Sequence, residues 1–142
     1  YLINSLAFRY EVETITTNPY QYNIKNIAIQ DSPIFHLFRL CIDNYYPIQS
    51  IMFKKELYEQ LAGFDEALDY YEDWNLWLKY TSKYPMYSIL KVCSIFKIPA
   101  DKKAQQQRES LFHQNRRLAL DRQKDIKITV DPFTLSELLK KY

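Results

Sequence analysis

At 142 residues, 47% apolar and 25% charged, the chain is long enough to bury one core and sits at the size of a single domain. A formal net charge of +2 is too small for a general attraction to nucleic acid, and Cys41 and Cys93 stand apart from any CxxC or Cys/His cluster, which argues against a zinc site or a disulfide framework and for reduced, buried thiols. No apolar run approaches the ~20 residues of a membrane span, and the opening YLINSLAFRYEV lacks the basic-then-apolar order of a signal peptide, so a soluble cytoplasmic chain is expected.

From the start, Leu6, Phe8, Tyr10 and Val12 alternate among β-favouring residues, which predicts an extended segment with one buried face. The following TNPYQYN reads as a loop. From Asp31 to about Asn44, DSPIFHLFRLCIDN offers Asp31 or Ser32 as N-cap, a proline tolerated in the first turn, and Ile34, Leu37, Phe38 and Cys41 on one side of a helix. PIQSIMF is a short strand leading into the helical KKELYEQLAGF, where Gly63, the sole glycine, stands at the left-handed position that ends a helix.

A second helix is predicted from about Tyr71 to Lys83, and YPMYSILKVCSIFKIP, bracketed by Pro85 and Pro99, reads as a strand. Residues 102 to 124 hold neither Pro nor Gly and favour a long, mostly solvated helix; ITVDPFTLSELLKKY is a brief strand and turn before a short terminal helix. No repeat is present, and the mixture of helices and strands is that of an α/β or α+β domain, with residues 101 to 142 as a helical extension.

Basic charge is local to that extension, which carries ten Lys/Arg against six Asp/Glu, while residues 1 to 100 carry nine against eleven. Arg116, Arg117, Arg122 and Lys124 make it a candidate for peripheral contact with a membrane surface; Asp121, Asp125 and the weak apolar face favour a solvated helix instead. His36 and His113 have no partner residues at metal-ligand spacing.

The stretch GFDEALDYYEDWNLWLKY, residues 63 to 80, gathers the only glycine, five carboxylates and both tryptophans. Glu72 and Asp73 fall in the first turn of the predicted helix, where exposed amides and the positive end of the dipole favour carboxylates, and capping alone accounts for them. On a helical wheel Asp73 shares a face with Leu76, Trp77 and Tyr80, while Glu72 shares one with Asn75 and Lys79. A carboxylate against an aromatic wall at the mouth of a cleft is also placed to serve as a general base. Trp74 and Trp77 suit a core, or a platform for a ligand.

Read together, SIMFKKELYEQLAGFDEALDYYEDWNLWLKY, residues 50 to 80, resembles the C-terminal half of the family 2 glycosyltransferases with the nucleotide-sugar GT-A fold. Members carry a strand leading into a basic helix, a GGFDE-like turn and an EDWDLWLR-like helix; here these stand as Ala62-Gly63-Phe64-Asp65-Glu66 and Glu72-Asp73-Trp74-Asn75-Leu76-Trp77-Leu78-Lys79. Looser similarity extends over residues 31 to 100. The resemblance implies an α/β fold of mixed helices and short strands, and inverting sugar transfer from a nucleotide-sugar donor to a sugar or lipid-linked acceptor, at the inner face of a membrane. It implies Asp73 as catalytic base, Glu72 beside it, Asp65 and Glu66 supporting the acceptor side, and Trp74 or Trp77 near the sugar. A divalent metal, Mg or Mn, is implied for the complete enzyme.

The chain departs from that pattern. No Asp-x-Asp occurs in it, so the metal and diphosphate site is not expected here, and the start at Tyr rather than Met fits a fragment whose donor half precedes it. Lys97 and Pro99 stand where the family's Arg and His would be sought, Asn75 replaces the usual Asp, and Glu109 follows QQQR where processive members have Trp. The isolated piece is therefore expected to be inactive. The alternative reading is a noncatalytic carbohydrate- or protein-binding module, for which 13 tyrosines supply a recognition surface.

Overall fold

The computed structural model describes residues 2–30 and 34–140. Alternation at the start of the chain extends well past its first twelve residues: β1 spans Leu2–Thr17 and carries the whole sheet. Along one edge it pairs antiparallel with β2 (Tyr20–Ile29) and, at Leu2 to Asn4, with β3 (Ile51–Phe53). Along the other edge it runs parallel to β4 (Met86–Pro99), with Leu2 opposite Met86. The result is a mixed four-stranded sheet in a mixed α and β chain, and two of its strands are long rather than short.

The segment read as a loop, TNPYQYN, is mostly strand. Only Asn18 and Pro19 make the turn, with Thr16 Oγ1 donating to the Pro19 carbonyl, because Tyr20, Tyr22 and Ile24 continue the β-favouring pattern against Thr17, Thr14 and Val12. The first helix is shorter than predicted: α1 covers Leu37–Ile42, and His36 is its N-cap, Nδ1 accepting from the Arg39 amide. Asp31 and Ser32, the expected caps, lie outside the described residues.

PIQSIMF is a single 3₁₀ turn at Ile48–Ser50 followed by the three residues of β3. Helix α2 (Lys55–Gln60) ends in two successive left-handed residues, Ala62 at φ 59° and Gly63 at φ 59°. The Gly63 amide donates to the Tyr58 carbonyl at 2.8 Å and the Ala62 amide to Glu59 at 3.2 Å, so that Ala62 holds the first left-handed position and glycine the next. Helix α3 covers Glu72–Thr81. Helix α4, Lys102–Gln123, is capped by Asp101, whose side chain accepts from the Ala104 amide at 2.8 Å. The expected strand at ITV is irregular chain with no ladder partner, and α5 (Pro132–Leu139) follows Asp131, which accepts from the Thr134 amide.

Helix α3 fills the core. Trp74, Leu76, Trp77 and Tyr80 are fully buried with Leu2 and Leu40, and the Phe53 ring meets Trp77 and Tyr80 at 5.7 and 5.8 Å between centroids. Burial holds the Tyr80 phenol up to about 12, where it donates to the Lys54 carbonyl at 2.7 Å. Parts of the sheet are apolar and open: register places Met52, Ile3 and Tyr87 in one row and Ile29, Phe8 and Ile95 in another, with Met52 69% and Ile29 54% exposed. Both cysteines are free, but only Cys41 is partly buried; Cys93 lies exposed on β4, which has β1 along one edge only. Among the described residues no helix is long and apolar enough to cross a membrane.

Candidate functional site

The entry to α3 is held in an unusual backbone state. Tyr71, its N-cap, adopts φ 67° and ψ 15°, the left-handed region that a bulky residue occupies only when its surroundings insist. Those surroundings are aromatic: its buried ring lies 5.4 Å from Trp74 and 5.3 Å, edge to face, from Phe112 of α4. With Tyr71 so fixed, Glu72 and Asp73 open the first turn of the helix.

Asp73 Oδ1 accepts two hydrogen bonds, from the Trp74 amide at 2.7 Å and from Asn44 Nδ2 at 2.9 Å. Burial pushes the carboxyl up to about 6; the Asn44 bond opposes that rise, and the neighbouring Glu72 charge adds to it. Asp73 and Glu72 both line a cleft of about 900 Å³, a volume typical of small-molecule sites. Tyr45, Tyr46, Tyr70 and Tyr71 line it with them, α4 contributes Arg108, Phe112, His113 and Arg116, and the sheet contributes Arg9 and Phe96.

Arg116 binds the walls together. Its guanidinium lies over the Trp74 ring at 5.6 Å and donates to the Ile42 carbonyl, which ties α4 to α3 and α1. The helical extension thus supplies one wall of the cleft through α4. Helix α4 hides this in a polar face, where the Phe112 ring, the Arg116 stem and Ala119 recur at helical spacing.

The residues singled out in the sequence separate here. Glu72 joins Asp73 in the cleft, whereas Asp65 and Glu66 do not line it. Asp65 is gripped by Arg122, Nε at 2.6 Å and an Nη at 2.9 Å, and those bonds hold its carboxyl below the usual range; Glu66 is exposed. Both tryptophans are fully buried, so neither ring is open for a sugar to stack upon. Trp74 Nε1 donates to the Leu40 carbonyl and supports Asp73 from behind. The wheel placed Asn75 on a polar face, yet it is fully buried with both side-chain polar atoms lacking a partner, because α3 is enclosed on more sides than an amphipathic helix. A carboxylate at that position would be a buried charge, which gives a physical reason for Asn there.

No group of three or more His, Cys, Asp or Glu is placed to hold a metal among the described residues. His113 faces the cleft, and His36 is a helix cap. Sequence reasoning missed Asn44, Tyr71 and Arg9: Asn44 lies 29 residues from Asp73 in an irregular segment and carries no local signal. Comparison with protein-family models, with curated proteins and with solved structures returned no match to this chain.

Proposed function

We propose that this chain is the acceptor-binding, base-bearing part of a glycosyltransferase that moves a sugar from a nucleotide-sugar donor, with inversion, to an acceptor hydroxyl. The observation that carries the reading is Asp73: a partly buried carboxylate at the edge of a tyrosine-rich cleft, with its pKa raised to about 6. Such a group is ionised at neutral pH yet more basic than a solvated aspartate, which suits proton abstraction from a hydroxyl. Asp73 takes the proton as the acceptor oxygen attacks the anomeric carbon, and the nucleoside diphosphate departs from the opposite face. The diphosphate and metal are assigned to a donor half outside this sequence, and the membrane-side location and lipid-linked acceptor belong to the same proposal. The resemblance at Gly63–Glu66 and Glu72–Lys79 supports it.

Sugar transfer by the polypeptide that joins this chain to its donor half is the test, with Asp73→Asn as the variant. Loss of turnover with the fold retained is expected; undiminished turnover removes Asp73 from the chemistry. The aromatic lining favours a second reading, a sugar-binding module without transfer. In that case Asp73→Asn leaves ligand affinity intact and no donor is consumed by either form.

A further inference from the structure

Asn44 is drawn into the site by geometry alone. It follows α1 after Asp43, whose side chain accepts from the Asn44 backbone amide at 3.0 Å and steadies the turn. From there Nδ2 reaches Asp73 Oδ1 at 2.9 Å, the same oxygen that the Trp74 amide contacts at 2.7 Å. Both bonds converge on one oxygen, and Oδ2 accepts from neither. The amide's own Oδ1 is buried without a partner, a cost that an apolar side chain of similar volume would not carry. Reversing the amide would bring that oxygen against the carboxylate, so the donor orientation is dictated by Asp73 itself.

We propose that Asn44 is a positioning residue for Asp73: its amide anchors Oδ1, fixes the carboxylate plane and leaves Oδ2 as the oxygen that meets an acceptor hydroxyl. The proposal rests on Asp73 being the base. A charge-assisted bond to Oδ1 also favours the ionised form, and so offsets part of the burial that makes Asp73 basic. Glu72 is the charge that acts on this carboxylate, and the titratable groups sharing its cleft include Tyr71 beside it, Asp43 after α1, Arg108, His113 and Arg116 on α4, and Arg9 and Lys97 on the sheet.

Carboxyl-carbon NMR titration of Asp73 in this chain, compared with Asn44→Leu and Asn44→Ala, is the test. Removing the donor is expected to raise the Asp73 midpoint by about one pH unit in each variant, while the Asp65 midpoint stays in place and reports an intact fold. The leucine keeps the site dry, and the smaller alanine covers the case in which leucine does not fit. An unchanged or lowered Asp73 midpoint in a folded variant overturns the proposal. In the complete transferase the same variants should lower kcat with KM little changed and move the acid limb of the rate profile upward. A raised midpoint combined with full transfer by Asp73→Asn would strike the base assignment and not the Asn44–Asp73 coupling, which keeps the two failures distinct.

Discussion

Arg122, in the last turn of α4, holds Asp65, in the turn before α3, by two parallel N–H···O bonds of 2.6 and 2.9 Å. The pair bridges 57 residues of sequence and pins the end of α4 to the turn before α3. Planar guanidinium and carboxylate match in this geometry, which distinguishes it from the looser surface pairs Lys55–Glu59 and Arg117–Asp121.

Arg122→Ala should therefore lower the melting temperature by roughly 2 °C at neutral pH. Asp65 has a folded pKa below its unfolded value, so the contribution is present above the unfolded carboxylate pKa of about 4 and fades as pH falls through the folded value. Melting curves of both forms should converge on acidification. A gap that persists at low pH would show that packing, not the ion pair, is what the arginine supplies.

Asp73 has the opposite sign. Its folded pKa, raised to about 6, exceeds the unfolded value near 4, so the folded state binds more protons between those limits and stability falls as pH rises through them. Asp73→Asn should be more stable than the parent at pH 7.5, by on the order of 2 kcal/mol, and nearly equal to it at pH 4. Denaturant titrations at the two pH values read this directly, and a variant less stable than the parent at pH 7.5 would contradict the burial of an ionised group. Under the proposed function, sugar transfer should be half-maximal near pH 6 on its acid limb and vanish in the same variant. Greater stability with lost activity is the signature of a site kept strained for use.

Gly63 has no room to grow. A Cβ there would meet Tyr58 Cζ at 2.6 Å, and at φ 59° any L side chain is strained by about 1 kcal/mol before the clash is counted. Tyr58 cannot swing aside freely, since its ring packs on Phe53 and Phe64 at 5.8 and 5.4 Å and its hydroxyl accepts from the Phe64 amide. Gly63→Ala should cost about 2 kcal/mol, and less in a Tyr58→Ala background, where only the backbone strain remains. Equal costs in both backgrounds would place the whole effect in the backbone.

Asn75→Asp should destabilise by about 3 kcal/mol at pH 7, because it leaves a charge in the core with no partner, and by much less at pH 4, where the introduced carboxyl can stay protonated. Chemical unfolding at both pH values measures the difference; tolerance at pH 7 would mean that a partner or water reaches the position.

Much of this molecule could be read in advance where a pattern repeats over a long stretch. Helix α4 lies within a residue of its predicted bounds and β4 within a few, since neither has an internal break and Asp101, Pro85 and Pro99 mark their ends. Asp73 stood out because its neighbours on the helix are apolar. What escaped was set by distant contacts: the strand β2 is polar enough to pass for a loop until β1 is beside it, and Asp65 looked like part of the site until Arg122 was found holding it. Asn44 and Tyr71 were invisible for the same reason, as each acts through a partner on another element. The apolar spacing around Asn75 gave no warning that α3 is buried on nearly every side.

The pairing of β1 with β4 has a consequence in time. Leu2 waits for Met86, and Val12 for Pro99, so β1 cannot complete its parallel ladder until 84 or more residues have followed it. Most of what shapes the cleft, from Arg9 to Asp73, lies inside that closed loop, and α4 arrives after it. Contacts of such long range slow folding, because the chain loses the entropy of closure before any ladder bond rewards it. The cleft beside the carboxylate proposed as base is thus walled by sheet residues, Arg9 and Phe96, that only this long-range ladder brings together.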